Sequence, residues 1–246
     1  MAGLAPGLPA FLLLCGLLLP GGAAARTPFQ ARCEARQFGP DTGSRPTGVR
    51  VESHDSGYRV DNSLSYSGLT RLKREGAGNW VLGLTRAESR VAISVEGAIF
   101  SDPDTGEECF LPQIGVSLSY LPIVVYVGSE FAPGSCAYEE ILAHEMRHLK
   151  AYLDYLPKVE RKVREALGQR FDARPVYARH GQSLPRVEAE LDGRWMPFVK
   201  REMARAKTLQ AGIDSAGEYA RLSKVCQGEV QSLIGSTRRS RSSTSS

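Results

Sequence analysis

The chain has 246 residues, of which 42% are hydrophobic and 24% charged, with a formal net charge of +4. Arg238, Arg239 and Arg241 supply most of that excess, so the rest of the chain is close to neutral. It lacks the basic stripe with interleaved aromatics that nucleic-acid binding requires, and nucleic acid is therefore not an expected partner.

Residues 1–25 read as a secretory signal peptide. The apolar run from Phe11 to Leu19 is too short to span a bilayer, and Ala23-Ala24-Ala25 supplies a small-residue cleavage site. The expected location is exported, either periplasmic or extracellular. No second apolar run is long enough for stable membrane insertion after cleavage. The remaining chain, roughly 220 residues, is enough for one sizeable core. Loss of Cys15 leaves Cys33, Cys109, Cys136 and Cys226, an even number that suggests disulfides in an oxidising compartment. Cys109–Cys136 is the expected pair, because both flank the segment leading into the helix described below. Cys33–Cys226 would then tie the two ends together.

Residues 26–48 are rich in Pro, Gly, Arg and Thr and read as an irregular lead-in. Residues 49–131 read as strands. Val49 to Ser53 alternates and is expected to pair with Tyr58 to Val60 through the turn Asp55-Ser56-Gly57. Trp80 to Thr85 and Arg90 to Glu96 follow, then the turn Asp102 to Gly106. Val116 to Tyr120 and Ile123 to Val127 are split by Leu121-Pro122. Because proline has no N–H to donate, this pair is read as an edge strand, free to add an extended peptide.

From Ser135 onward the pattern is helical. Ser135 is a capping residue, and Ile141, Leu142, Leu149, Tyr152 and Leu153 recur at helical steps, which predicts a helix from Cys136 to Leu156 with a break or kink at Pro157. Val159 to Leu167 reads as a second helix stopped by Gly168, and 171–185 as a loop. Val187 to Gln210 reads as a long helix with a kink at Pro197, and Gly217 to Leu233 as a last one. Residues 235–246 are a Ser- and Arg-rich tail without apolar content. The expected fold is α+β: a mostly antiparallel N-terminal sheet and a helical C-terminal part, forming one domain over 49–234.

The predicted helix carries His144-Glu145-Met146-Arg147-His148. Positions four apart lie about 40° apart around a helix, so both histidines can face one ion. Glu145 beside them can hold and deprotonate a metal-bound water. Histidine is scarce in the chain, which makes this spacing around a glutamate informative.

The H-E-x-x-H helix preceded by strands resembles the core of the zincin metallopeptidases, and Cys136 to Tyr152 is similar to uncharacterised secreted bacterial proteins with a predicted zinc-peptidase motif. The resemblance implies one zinc ion per chain, His144 and His148 as ligands and Glu145 as the general base. Glu188 with Asp192 one turn later resembles the E-x-x-x-D signature of the gluzincins. That likeness implies Glu188 as the third ligand and Asp192 as support for a ligand histidine. Glu190 is a neighbouring substitute. Asp154 occupies the last position of the metzincin pattern, but Ala151 stands where that pattern has glycine. His180 is a further candidate. The activity implied is that of a secreted or periplasmic zinc-dependent peptidase acting on a protein or peptide substrate. The other readings are a non-catalytic exported metal-binding or structural protein and a cell-wall amide hydrolase.

Overall fold

The structure is a computed structural model that describes residues 26–37, 47–73 and 80–234. The signal-peptide and C-terminal-tail readings lie outside the described residues.

Helix α1 (Pro28–Gln37) falls in the expected irregular lead-in. Strands β1 (Gly48–His54) and β2 (Arg59–Asp61) and helix α2 (Tyr66–Lys73) follow. The two longest strands are β3 (Gly83–Ser101) and β4 (Glu107–Val127). They form one antiparallel hairpin across the turn at Asp102 to Gly106, where Gly106 adopts φ +69°. Helix α3 (Cys136–Phe171) is next, then β5 (Val176–Arg179), α4 (Ser183–Glu190), a π-helical turn (Leu191–Trp195), α5 (Met196–Ala204), α6 (Ala206–Ile213) and α7 (Ala216–Leu222).

The expected mostly antiparallel sheet is corrected to a mixed one. Strand β4 is its spine. Strand β3 pairs with it antiparallel along one side, while the other side takes β5 antiparallel and β1 and β2 parallel. The expected β1–β2 hairpin does not form. Asp55 Oδ1 accepts a hydrogen bond from the Gly57 N–H at 2.9 Å, and the chain runs on in the same direction. Strand β1 ends opposite Ser119 and β2 starts opposite Val124, so the two straddle Leu121-Pro122. The residue unable to donate thus falls in the gap between two ladders. On the other side the β3 register shifts between Ala87 and Ser89, at the same level. A proline placed this way is compatible with a central strand, which overturns the edge-strand expectation for 116–127. Among the described residues β3, like β1, β2 and β5, pairs only with β4 and so has one side free of any other strand.

The main core lies between one sheet face and the helices. Val49 and Val51 of β1 and Ile114, Val116, Leu118 and Tyr120 of β4 project into it, in the period-two alternation of a half-buried sheet. Helix α3 supplies Leu149, Leu156, Val159, Val163, Leu167 and Phe171. This stripe keeps its three- and four-residue spacing straight through Pro157, so α3 runs unbroken for 36 residues instead of ending at Leu156. A mid-helix proline costs about 3 kcal/mol. Burial of several large apolar side chains beyond it, at about 1.5–3 kcal/mol each, exceeds that cost.

The disulfides are Cys33–Cys109 and Cys136–Cys226, not the expected pairs. Cys109 sits on β4 beneath α1, which brings Cys33 to it. Cys136 begins α3, on which the C-terminal segment packs. Sequence position ranked neither proximity. Among the described residues, no helix is long and apolar enough to cross a membrane.

Candidate metal centre

Ser135 caps α3 by accepting a hydrogen bond from the Tyr138 N–H at 3.2 Å, and Glu139 occupies the first turn. The helix then turns its buried stripe toward β3. Three positions of that stripe are polar: His144, Glu145 and His148, exposed by only 4%, 4% and 7%. The three side chains lie close enough together to hold a metal ion.

The histidine Nε2 atoms face one another at 3.1 Å. Asp214 Oδ1 lies 3.2 Å from His144 Nε2 and 3.1 Å from His148 Nε2, closing a nearly equilateral triangle. The outer ring nitrogens face protein side chains. His148 Nδ1 is 2.5 Å from Gln210 Oε1, while the Gln210 side-chain NH₂ donates to the His148 carbonyl at 3.3 Å. That second bond fixes which end of the amide meets the ring, so Nδ1 carries the proton. His144 Nδ1 lies 3.3 Å from Glu218 Oε1. Arg147 reaches the same carboxylate oxygen, with its Nη2 2.9 Å from His144 Nδ1, and Arg221 also donates to Glu218. Where both Nδ1 atoms carry the ring proton, two imidazole lone pairs and a carboxylate oxygen converge on one point. Such a set is electrostatically stable around a cation.

The close contacts also shift the ionisable groups of the cluster. Burial opposes protonation of His148, but Asp214, Glu145 and Gln210 outweigh it and its pKa is raised. Asp214 is held well below the carboxylate range: burial opposes ionisation, and hydrogen bonds from His144 and His148 overcome it. Glu218 is lowered to about 2, chiefly by Arg221 and, against the opposing effect of burial, by Arg147 and His144.

Glu145 is positioned from the other side by β3. Thr85 Oγ1 lies 2.9 Å from Glu145 Oε2 and 2.9 Å from the Glu145 carbonyl, so its one proton bridges both. Burial pushes the Glu145 carboxyl up, partly offset by His148, His144 and the Thr85 hydrogen bond. Gly83 makes room for it: a Cβ there would stand 2.7 Å from Glu145 Cγ and 2.7 Å from Ile141 Cγ2. Gly83→Ala is therefore expected to displace Glu145 and lower stability by about 1–3 kcal/mol, the usual cost of overpacking. Urea unfolding checks this, and a variant as stable as the parent would contradict it.

The centre opens into a cavity of about 620 Å³. Its walls include Val81, Leu82, Leu84, Ile141, Leu222 and Val230, with Tyr219 and Lys73 at the same cavity. Lys73 Nζ lies 3.5 Å from the outer Asp214 oxygen. The cavity can therefore admit an apolar group beside the three polar side chains.

The remaining sequence candidates are not brought to this place. Glu188 is exposed on α4, which packs by Val187 near β5 and the start of β4, whereas the histidine cluster lies beside the start of β3 and so near the end of β4. Asp192 is exposed on the π-helical turn. Glu190 is taken by Arg170 and Trp195 Nε1. Asp154 pairs with Lys150 on the exposed side of α3. His180 Nδ1 contacts Ser101 Oγ at 3.1 Å, with Glu108 at 3.7 Å. The structure does not bring Glu188, the expected third ligand, to the histidines; the carboxylate beside them is that of Asp214. It sits in the joint between α6 and α7, and Ser215 next to it caps α7 by accepting from the Glu218 N–H at 3.2 Å. Helix-stop and helix-start punctuation around Gly212-Ile213-Asp214-Ser215 is visible in the sequence. Nothing in that punctuation marks the acid as a ligand.

No family model matches the chain, and no curated protein or solved structure is significantly similar to it.

Proposed function

We propose that the protein is an exported zinc-dependent peptidase of zincin type, with His144, His148 and Asp214 as the zinc ligands and Glu145 as the general base. One observation carries the reading: the two Nε2 atoms and Asp214 Oδ1 lie 3.1–3.2 Å apart, with Glu145 beside them at a cavity. A tetrahedral site with bonds near 2.0–2.1 Å separates its ligands by roughly 3.3 Å, so the triangle suits zinc with one position open. The imidazole and carboxylate donor set suits it as well. Zinc in such a site supplies Lewis acidity and an activated water.

The chain's own residues do the rest. Gln210 and Glu218 hold the two imidazoles with their Nε2 lone pairs inward. Glu145, raised by burial, accepts a proton from the attacking water and delivers it to the leaving amine. Its hydrogen bond to Thr85 aims the carboxylate. The apolar walls exclude water around the polar centre and accept an apolar side chain of the substrate. Beside the cavity, β3 starts at Gly83. The neighbouring Leu82 carbonyl accepts from the Gly128 N–H at 2.8 Å, which makes Leu82 and Gly128 a hydrogen-bonded pair. By alternation, the backbone groups of Gly83 and Thr85 point away from β4. In this reading they pair with an extended substrate chain.

Purified protein is expected to contain one zinc per chain by elemental analysis and to hydrolyse a denatured protein substrate. A chelator should abolish the hydrolysis, and restoring zinc should return it. A metal-free preparation that binds no added zinc would overturn the reading. Zinc binding without cleavage of casein would point to the non-catalytic alternative, and cleavage confined to peptidoglycan to a cell-wall amide hydrolase.

A further inference from the structure

The two disulfides sit in different surroundings. Cys33–Cys109 is enclosed with Phe29 and Leu111, its cysteines 1% and 0% exposed. Cys136–Cys226 is at the surface, with Cys136 exposed and Cys226 partly buried. It joins the first residue of α3, two turns before His144, to the segment that follows α7. Residues 214–234, which end in that segment, carry Asp214 and Glu218 to the histidines and Leu222 and Val230 into the cavity wall.

Among the described residues, few of the segment's side chains are fully buried. Leu222 is the one buried residue of α7, and the short turn Cys226–Gly228 buries none. Val230 anchors it in a small cluster with Val127, Phe131, Ala137, Tyr138 and Ile141, against which Val225, Leu233 and Ile234 pack half-buried. Beyond the contacts of Asp214 and Glu218 with the histidines and Lys73, its polar ties lie toward the surface: Arg221 to Glu140 at 2.6 Å, Arg147 to Glu218, and Glu229 accepting from the Ala137 N–H at 3.2 Å. Exposed ion pairs contribute little. The disulfide, by contrast, closes a loop between residues 90 apart in sequence and removes much of the entropy that an open segment would gain.

We propose that Cys136–Cys226 is a redox latch on the metal centre, so that reduction by an external dithiol loosens residues 214–234 and withdraws Asp214 from His144 and His148. The reaction balances as a thiol–disulfide exchange. A thiolate of the dithiol attacks one sulfur of the exposed bond, and its second thiol resolves the mixed disulfide. The Cys136–Cys226 bond becomes two thiols, and the dithiol is oxidised to a disulfide. The buried Cys33–Cys109 bond stays intact under the same conditions, because an attacking thiolate cannot reach it. The latch rests on the reading of Asp214 as a metal ligand, but its mechanical part does not.

The test uses zinc-loaded protein treated with dithiothreitol and then iodoacetamide. Alkylation also removes the freed thiolates, which together with Glu229 would otherwise form a competing ion site. Label is expected on Cys136 and Cys226 before Cys33 and Cys109. Amide hydrogen exchange should rise across 214–234 and stay unchanged in β4, and zinc affinity should fall on the order of a hundredfold. Cys136→Ser with Cys226→Ser should reproduce the reduced state and no longer respond to dithiothreitol. Equal labelling rates for both pairs, or labelled Cys136 and Cys226 with unchanged exchange in 214–234, would overturn the latch. So would a double-serine variant that binds zinc as tightly as the oxidised parent. If the oxidised protein binds no zinc, the metal assignment fails, and hydrogen exchange still decides whether the segment is released.

Discussion

Asp214→Ala is expected to weaken zinc binding by more than about 100-fold, measured by competition with a chromophoric chelator, while Glu188→Ala leaves it unchanged. The estimate exceeds the 10–100-fold typical of outer-shell partners because Asp214 itself faces the two Nε2 atoms. Removing the carboxylate deletes the negative charge that offsets the ion and leaves two neutral imidazoles. Folding of the variant is not expected to suffer greatly. Asp214 is joined to the protein chiefly through the histidines and Lys73, so its loss removes these side-chain contacts and leaves the apolar core untouched. Circular dichroism separates loss of the site from loss of the fold. Parental affinity in the alanine variant would remove Asp214 from the site, and weakened binding in Glu188→Ala would restore the original expectation.

Glu145→Gln is expected to keep the zinc and lose turnover, by roughly 10²–10⁴-fold in kcat. The substitution is nearly isosteric, so the space left by Gly83 still fits the side chain, and an amide oxygen still accepts the Thr85 hydroxyl. What disappears is the basic lone pair. Because the same change removes a buried carboxylate whose ionisation burial disfavours, the variant should unfold at the same or a higher temperature than the parent. Steady-state hydrolysis with zinc content measured on the same sample checks both halves. Full activity in the zinc-loaded variant would refute the general-base role.

The half of the candidate centre that lies on α3 was legible because it is local. His144, Glu145 and His148 share one face by helical geometry alone, and Ser135 marks where that helix begins. The third carboxylate was not legible. Glu188 and Asp192 look like a motif only because they are one turn apart, and the fold leaves both in solvent. Asp214 lies 66 residues beyond His148, in a joint between helices whose position depends on how α6 and α7 fold back onto α3. Gln210 and Glu218, which orient the imidazoles, arrive by the same folding back.

The sheet divides in the same way. Alternation in 116–127 was readable as strand, but a proline at position 122 can mean an edge or a gap between two ladders, and only the partners β1 and β2 decide which. The cysteine pairing depended on which elements stack, and the guess from chain position failed for both bonds. By itself the sequence determined a capped amphipathic helix with two histidines and a glutamate on its buried stripe, because backbone periodicity fixes what neighbours in the chain share. The tertiary structure alone decided that Asp214 meets those histidines, that Gly83 and Thr85 hold Glu145, and that a surface disulfide ties the segment carrying Asp214 to the helix. Each of these is a contact between distant stretches, set by packing of the core and not by spacing along the chain.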